Sequence, residues 1–255
     1  MKVVILAGGF GTRLSEYTGV VPKPMVEIGG KPIIWHIMTH YASYGFDEFI
    51  IAVGYKGHVI KEYFSGITSR LSDFSVDFGT GEISLINPPK IDWKVTLVDT
   101  GVQSMTGGRI LRLGSLLADQ PFMVTYGDGV SDLNITELTA FHRAHGKIGT
   151  ITAVRPMARF GELQLKSDGL VSRFEEKPQT HKGWVNGGFM IFEPDIFEYL
   201  DDDSCVLEKR PLELLSSLNE LMAFKHTGFW QCMDTKRDRD FLEGIYRGGE
   251  APWAQ

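Results

Sequence analysis

LAGGFGTRLSEYTGVVPK, residues Leu6 to Lys23, is the stretch on which the reading of this chain turns. The residues leading into it, Lys2-Val3-Val4-Ile5-Leu6, form an apolar run too short for a helix and suited to a buried strand. Gly8, Gly9 and Gly11 follow almost at once. Glycines that close together cannot propagate a strand. Lacking Cβ atoms, they let backbone N–H groups turn toward one point and let a ligand approach. Converging N–H groups form a concave anion site, and Arg13 and Lys23 add two positive charges, Lys23 being boxed between Pro22 and Pro24. A polyphosphate is the natural guest, although the glycines alone leave a purely structural turn open. The common nucleotide templates do not apply. Gly9-x-Gly11-x-x is followed by Leu14 where a dinucleotide fingerprint needs glycine, and Gly30-Lys31 by Pro32 where a Walker loop needs Ser or Thr.

The chain has 255 residues, 43% hydrophobic and 23% charged. That is an ordinary globular composition, long enough to bury roughly three quarters of its unfolded surface. The net charge of −6 argues against a surface built for nucleic acid. An anionic ligand must therefore be held by local cations rather than by the global field. Cys205 and Cys232 make neither a zinc pattern nor a disulfide framework, which implies reduced thiols and a cytoplasmic location. Residues 1–6 read as a strand rather than a leader, and no apolar run approaches the length of a membrane span.

Downstream, Ile33, Ile34, Ile37, Met38 and Tyr41 recur at helical spacing behind Pro32, until Gly45 ends the helix. Phe49–Val53 reads as a strand and 58–64 as a short helix. Residues 65–94 break the pattern with Gly66, Gly79, Gly81 and Pro88-Pro89, and read as an insertion containing a hairpin, used in oligomer contacts. Strands follow at 95–99, 122–126, 148–154 and 187–192, and helices at 108–117, 135–145, 195–200 and 211–219. Ser167-Asp168-Gly169 signals a hairpin between 163–165 and 170–174. Leu221–His226 returns to the sheet, and Thr235 caps a last helix, with Asp238 at its third position. Strands alternating with helices predict an α/β fold, Rossmann-like, with a mixed but mostly parallel central sheet and helices on both faces. No linker divides residues 1–255, so a single domain is expected.

Asp128 follows a buried strand, at the end where open α/β sheets bind ligands. A plain turn aspartate is the alternative. Asp234 precedes the last helix and would serve equally as an N-terminal helix carboxylate. Together, two carboxylates on strand-end loops suit Mg²⁺ with water and phosphate oxygens completing its shell. Ser104-Met105-Thr106-Gly107-Gly108-Arg109 opens a helix whose N-terminus favours anions. Ser104 would also serve as a simple cap, and Arg109 as a surface cation. His36, His142 and His145 fall in helices and read as surface or partly buried packing residues. Asp201-Asp202-Asp203 reads as a solvated loop, and Trp35, Trp93 and Trp184 as packing, with Trp184 also close enough to Asn186 to reach a ligand.

The combination G-x-G-T-R-L plus Pro-Lys-Pro, extended without a gap through Met25-Val26-Glu27-Ile28-Gly29-Gly30-Lys31-Pro32, resembles the signature of the sugar-phosphate nucleotidyltransferases. The segments GYKGHVIKEYF, VTLVDTG, SMTGGR, TYGDGV, VNGGF and FWQCMDT carry the resemblance along the chain, closest to members that join CTP to α-D-glucose 1-phosphate for the dideoxyhexoses of bacterial surface polysaccharide. The resemblance implies that Leu6, Ala7, Gly8, Gly9, Gly11, Thr12, Arg13, Lys23, Ser104, Arg109 and Gly127 bind the nucleotide, and that Asp128 and Asp234 hold Mg²⁺. It implies a sugar-phosphate site at Gly161, Glu176, Lys177, Asn186 and Gly187, with Phe160 beneath the ring, Glu176 on hydroxyls and Lys177 on the phosphate. It also implies a homo-oligomer, with a hexamer as one precedent. Residues 65–92 and Gly19-Val20-Val21 depart from the pattern.

With a nucleoside triphosphate and a hexose 1-phosphate as reactants, the nucleophile is already a phosphate oxyanion near neutral pH. No triad is needed, and none is evident. The obstacle is bringing two polyanions together, so catalysis falls to positioning, Mg²⁺ and cations. Arg13 is expected on the β/γ-phosphates and Lys23 near the transferring group, both as catalytic residues. A thymidylyl- or uridylyltransferase is the nearest alternative, and a non-catalytic nucleotide sensor a different class. Leu14 disfavours a nicotinamide dehydrogenase.

Overall fold

The computed structural model describes residues 1–11, 14, 19–88, 90–156, 162–167, 169–175 and 183–254. Of the expected site residues, Thr12, Arg13, Gly161, Glu176 and Lys177, together with Phe160, lie outside the described residues. The elements that build the site run in the order β1 (Val3–Ala7), α1 (Ile33–Ser43), β2 (Glu48–Val53), α2 (Gly57–Ser65), β3 (Lys94–Asp99), α3 (Thr106–Arg112), β4 (Phe122–Tyr126) and β5 (Gly129–Ser131). They continue with α4 (Ile135–His145), β6 (Gly149–Val154), β7 (Val185–Asn186), β8 (Met190–Phe192), α5 (Arg210–Ser217), β9 (Leu221–Lys225), β10 (Trp230–Cys232) and α6 (Lys236–Arg247).

Every residue of β1 is buried, and its side chains divide between two cores. Val3, Ile5 and Ala7 join one cluster with Phe49 and Ile51, while Val4 and Leu6 join another with Ile50 and Ala52. A strand covered on both faces has no polar side to show, so it reads as an unbroken apolar run. Ile37 of α1, Ile60 of α2, Leu138 of α4 and Leu242 of α6 close the first core. Ile110 of α3 and Leu215 of α5 close the second. Helices therefore cover both faces of the sheet, as expected.

The sheet is parallel from β3 through β2 and β1 to β4. β8 then enters antiparallel beside β4, and β6 pairs antiparallel with β8 and β7 and parallel with β9. β1 thus has β2 on one side and β4 on the other. The crevice past the carboxyl ends of β1 and β4 is the switch point at which open α/β sheets bind ligands, and it is where the glycine turn and Gly127-Asp128 emerge.

Several boundaries differ from the sequence reading. The helix expected at 108–117 begins at Thr106 and breaks at Leu113, whose N–H bonds to the Ile110 carbonyl before a separate turn at Gly114–Leu117. The strand expected at 187–192 is interrupted. Gly187, Gly188 and Phe189 make a turn, Gly188 at φ +76° and Phe189 at φ +49°, while the Gly187 N–H donates to the Thr152 carbonyl. His36 and His142 are not surface residues but are 5% and 1% exposed. His36 Nε2 donates to the Ile28 carbonyl, and His142 Nδ1 is hydrogen-bonded to Thr150 Oγ1 at 2.7 Å. Burial, helped by His145 and Arg143, pushes the His142 imidazole down to about 4, so it is neutral in the core. Within 65–94 the expected hairpin is present, Asp73–Asp77 against Glu82–Ile86. It leaves Phe74, Phe78, Ile83 and Leu85 exposed.

The end of the described chain is part of the first core. Trp253 is 2% exposed and stacks on Phe229 with ring centroids 5.2 Å apart. Phe229 immediately precedes β10, so the tail supports the strand that leads to Asp234. Trp253→Ala is expected to lower the unfolding free energy by about 3 kcal/mol in a urea titration. The low end of the usual range applies because the buried indole Nε1 has no hydrogen-bond partner among the described residues, so its removal also relieves a desolvation cost. A loss below about 1 kcal/mol would mean that the tail is not part of the core.

Candidate active site

β1 and β4 lie side by side with Leu6 opposite Tyr126, and the Gly127 N–H donates to the Leu6 carbonyl. The two chain segments diverge just beyond that bond. Between them opens a cavity of about 370 Å³. Leu6, Ala7, Gly8, Gly9 and Gly11 line it from the glycine turn, Ser104 and Arg109 from the segment entering α3, and Lys23, Gly127 and Asp128 complete its lining. Every predicted nucleotide-binding residue that lies within the described part of the chain is on this wall.

Arg109 is not the surface cation of the alternative reading. It is 4% exposed and lies under the glycine turn. Its Nη1 donates to Thr100 Oγ1 at 2.7 Å, the Gly101 carbonyl at 2.8 Å and the Val53 carbonyl at 3.3 Å, and its Nη2 donates to the Gly8 carbonyl at 3.0 Å. A Cβ on Gly8 would stand 2.1 Å from Nη1, which explains the glycine there. Tyr55 N–H adds a second donor to the Gly8 carbonyl. The guanidinium therefore ties the turn after β1 to the ends of β2 and β3. Ser104 is buried, and Met105 rather than Ser104 occupies the N-cap of α3, without a side-chain capping bond.

Lys23 stands in a single 3-10 turn, Lys23–Met25, entered from Pro22. Its Nζ lies 2.5 Å from Asp128 Oδ2 and 2.5 Å from Asp234 Oδ1. Burial penalises the ammonium, but the Asp128 charge and hydrogen bonds to both carboxylates outweigh that and hold its pKa above the usual lysine value. The carboxylates are brought together by the ribbon of β5 and β10, which pair antiparallel with Gly129 opposite Cys232, and by the Met233 N–H donating to the Asp128 carbonyl. Asp234 is not the helix cap. Thr235 and Asp238 form the capping box of α6, and Asp238 also accepts the Asp234 N–H. Nor is Asp128 only a turn residue, since its carboxylate is paired directly with the Lys23 ammonium.

The donor set fits a hard divalent cation. Two carboxylates already converge on one positive group, with the lysine ammonium as stand-in, and the open cavity beside them leaves room for water and phosphate oxygens. No group of three or more His, Cys, Asp or Glu residues suited to a metal occurs among the described residues. Cys232 adjoins the pair, but burial and the charges of Asp234 and Asp128 push its thiol up to about 12, which keeps it protonated and poorly nucleophilic.

Asn186 and Gly187 lie where β7 ends and do not themselves line the cavity; they approach it through Tyr126. A Cβ on Gly188 would stand 2.9 Å from the Tyr126 ring, and Tyr126 lines the cavity. Three residues of this neighbourhood escaped the sequence reading. Trp230 Nε1 donates to the Gly187 carbonyl at 2.7 Å, joining the turn to the ribbon that carries the carboxylates. Tyr126 OH donates to Glu208, which also accepts Thr106 Oγ1 at 2.6 Å. Tyr126 could have been suspected from its place just before Gly127-Asp128. For Glu208 and Trp230 no local signal exists. The Asp201–Asp203 loop is exposed as expected, yet the Asp203 carbonyl accepts the Met105 N–H and its carboxylate pairs with Arg112.

Residues 2–236 match the protein family described as nucleotidyl transferase. The glucose-1-phosphate cytidylyltransferase of Salmonella typhimurium is 50% identical over 254 residues, which cover 99% of this chain and 98% of that protein. The protein of the same description from Salmonella typhi is also 50% identical over 254 residues, with the same coverage of 99% and 98%. Among solved structures, HddC from Yersinia pseudotuberculosis complexed with GMP-PN is 26% identical with a TM-score of 0.68, covering 96% of this chain and 99% of that chain.

Proposed function

The chain belongs to the nucleotidyl transferase family, and from that premise we propose that it transfers the cytidylyl group of CTP to α-D-glucose 1-phosphate, giving CDP-glucose and pyrophosphate. The observation that carries the reading is the meeting of Lys23, Asp128 and Asp234 at the edge of a glycine-lined cavity. A phosphate oxygen of glucose 1-phosphate attacks the α-phosphorus of CTP. The bond from that phosphorus to the β-phosphate oxygen breaks, and pyrophosphate carries the electron pair away. No proton has to be abstracted, because the attacking monoester is already ionised.

The triphosphate lies against the glycine turn, with Arg13 on its β- and γ-phosphates. Lys23 neutralises charge near the transferring phosphorus, and Lys177 holds the sugar phosphate in line. Gly161, Glu176, Asn186 and Gly187 receive the hexose. Asp128 and Asp234 would hold Mg²⁺, which when bound neutralises the phosphates and polarises the α-phosphate. Arg109 acts indirectly, by fixing the turn. The protein is proposed to work in the cytoplasm, as a single-domain subunit of a homo-oligomer joined through the exposed apolar hairpin at 73–86. Among the described residues no helix is long and apolar enough to cross a membrane.

The test is pyrophosphate release from purified protein, Mg²⁺ and glucose 1-phosphate with each nucleoside triphosphate in turn. Turnover with CTP above the others is expected. Preference for dTTP or UTP would reassign the base, and no turnover with any of them would overturn the enzymatic reading. Light scattering on the eluted protein should give a mass that is a multiple of 28.5 kDa. Phe78→Asp should reduce it toward the single chain; a monomeric wild type would remove the hairpin's proposed role.

A further inference from the structure

The position between Asp128 and Asp234 already holds a cation of the chain's own. Lys23 Nζ is 2.5 Å from one oxygen of each carboxylate, and the lysine side chain is only 12% exposed. A Mg²⁺ ligated by the same two oxygens would sit about 2.1 Å from each. Within that small space an ion and an ammonium overlap or repel at contact distance. We infer that Lys23 and the divalent ion exclude one another between Asp128 and Asp234, and that an arriving triphosphate decides between them by giving Lys23 a second anionic partner.

The chain is built for such an exchange. The Lys23 backbone is held in a 3-10 turn next to Pro22, with Pro24 buried beside it, so the exchange needs only the side chain to re-aim. The four-carbon stem above it has several rotatable bonds and a compact charge that can be re-aimed. Lys23 lines the same cavity as the glycine turn, so a phosphate bound there lies within its sweep. In the nucleotide-free protein the ammonium keeps two neighbouring carboxylates from repelling each other. It also makes a metal ion compete with an internal charge. Coupling of this kind is reciprocal: nucleotide raises metal affinity, and metal raises nucleotide affinity by the same factor. The inference rests on the proposed role of the two carboxylates, and its test does not use turnover.

The experiment is a Mn²⁺ titration of the full chain without nucleotide, with free ion read by electron paramagnetic resonance. Lys23→Met is expected to bind Mn²⁺ about 10-fold or more tighter than the wild type, and Lys23→Met combined with Asp128→Asn should lose that gain. Equal or weaker binding by Lys23→Met overturns the inference while leaving the catalytic reading intact. Absence of Mn²⁺ binding in both proteins even with CTP present would instead remove the metal role of the carboxylates. If Lys23→Met does not fold, the wild type still answers the question by reductive methylation and mass spectrometry. Mn²⁺ alone should speed labelling of Lys23 several-fold; unchanged or slower labelling refutes the exchange.

Discussion

Asp128→Ala is expected to lower turnover of CTP and glucose 1-phosphate by about 100-fold or more, the usual cost of removing one group that stabilises developing charge in a transition state. Asp128 lies at the carboxyl end of β4 with its carboxylate against Lys23, so its loss removes half of the cation-holding pair and one of the two contacts that aim the lysine. Stability should change far less. The Asp128 side chain is 27% exposed, and a partly solvated ion pair contributes on the order of 1 kcal/mol or below. The check is steady-state pyrophosphate release beside a urea unfolding curve. A rate within about fivefold of wild type would show that Asp128 does not serve the reaction. A large drop accompanied by unfolding would make the residue structural.

Arg109→Met reverses that pattern, with a large loss of stability and a secondary effect on nucleotide binding. The guanidinium is buried and donates to Thr100 Oγ1 and to the carbonyls of Gly8, Val53 and Gly101. Gly8 and Val53 keep other donors from Tyr55 and Thr100. The Gly101 carbonyl and Thr100 Oγ1 lose a charged one. Hydrogen bonds to charged groups contribute about 1.5–3 kcal/mol each, and a stranded buried acceptor costs about 1–3 kcal/mol. A loss of about 3 kcal/mol or more is expected from urea unfolding. With the strut gone the glycine turn is held by the Tyr55 N–H alone of these two donors, so KM for CTP should rise while KM for glucose 1-phosphate moves little. Arg109→Lys should not rescue either property, because a single ammonium cannot span acceptors that a planar fork reaches. Wild-type stability and an unchanged KM for CTP in Arg109→Met would refute the strut.

The two variants mark how far the site could be read without coordinates. Asp128 stands out in the sequence because a carboxylate after a buried strand and a glycine is a recognisable arrangement, and Lys23 because two prolines flag it. The role of Arg109 was not legible. Its neighbours Gly8, Val53, Thr100 and Gly101 come from the ends of three separate strands, and nothing in SMTGGR tells a buried strut from a phosphate ligand. Glu208 and Trp230 were missed for the same reason: each acts on a residue far away in the chain, Tyr126 and Gly187. That His142 packs fully buried rather than on the surface is not decided by helical spacing, which gives a residue's phase and not whether the facing strand offers a partner. Thr150 does.

The amino-acid order by itself determined whatever depends on near neighbours: the doubly buried β1 run, the glycine turn after it, the Thr235–Asp238 capping box, the hairpins and the alternation that makes the fold α/β. Backbone sterics, capping bonds and side-chain period act over a few residues, so a few residues suffice to reveal them. Tertiary structure alone decided that Lys23 stands between Asp128 and Asp234, that Arg109 lies beneath the loop instead of on the surface, and that the tail at Trp253 supports the ribbon. Those contacts join distant segments, and they are selected by the summed packing of two cores rather than by any local preference.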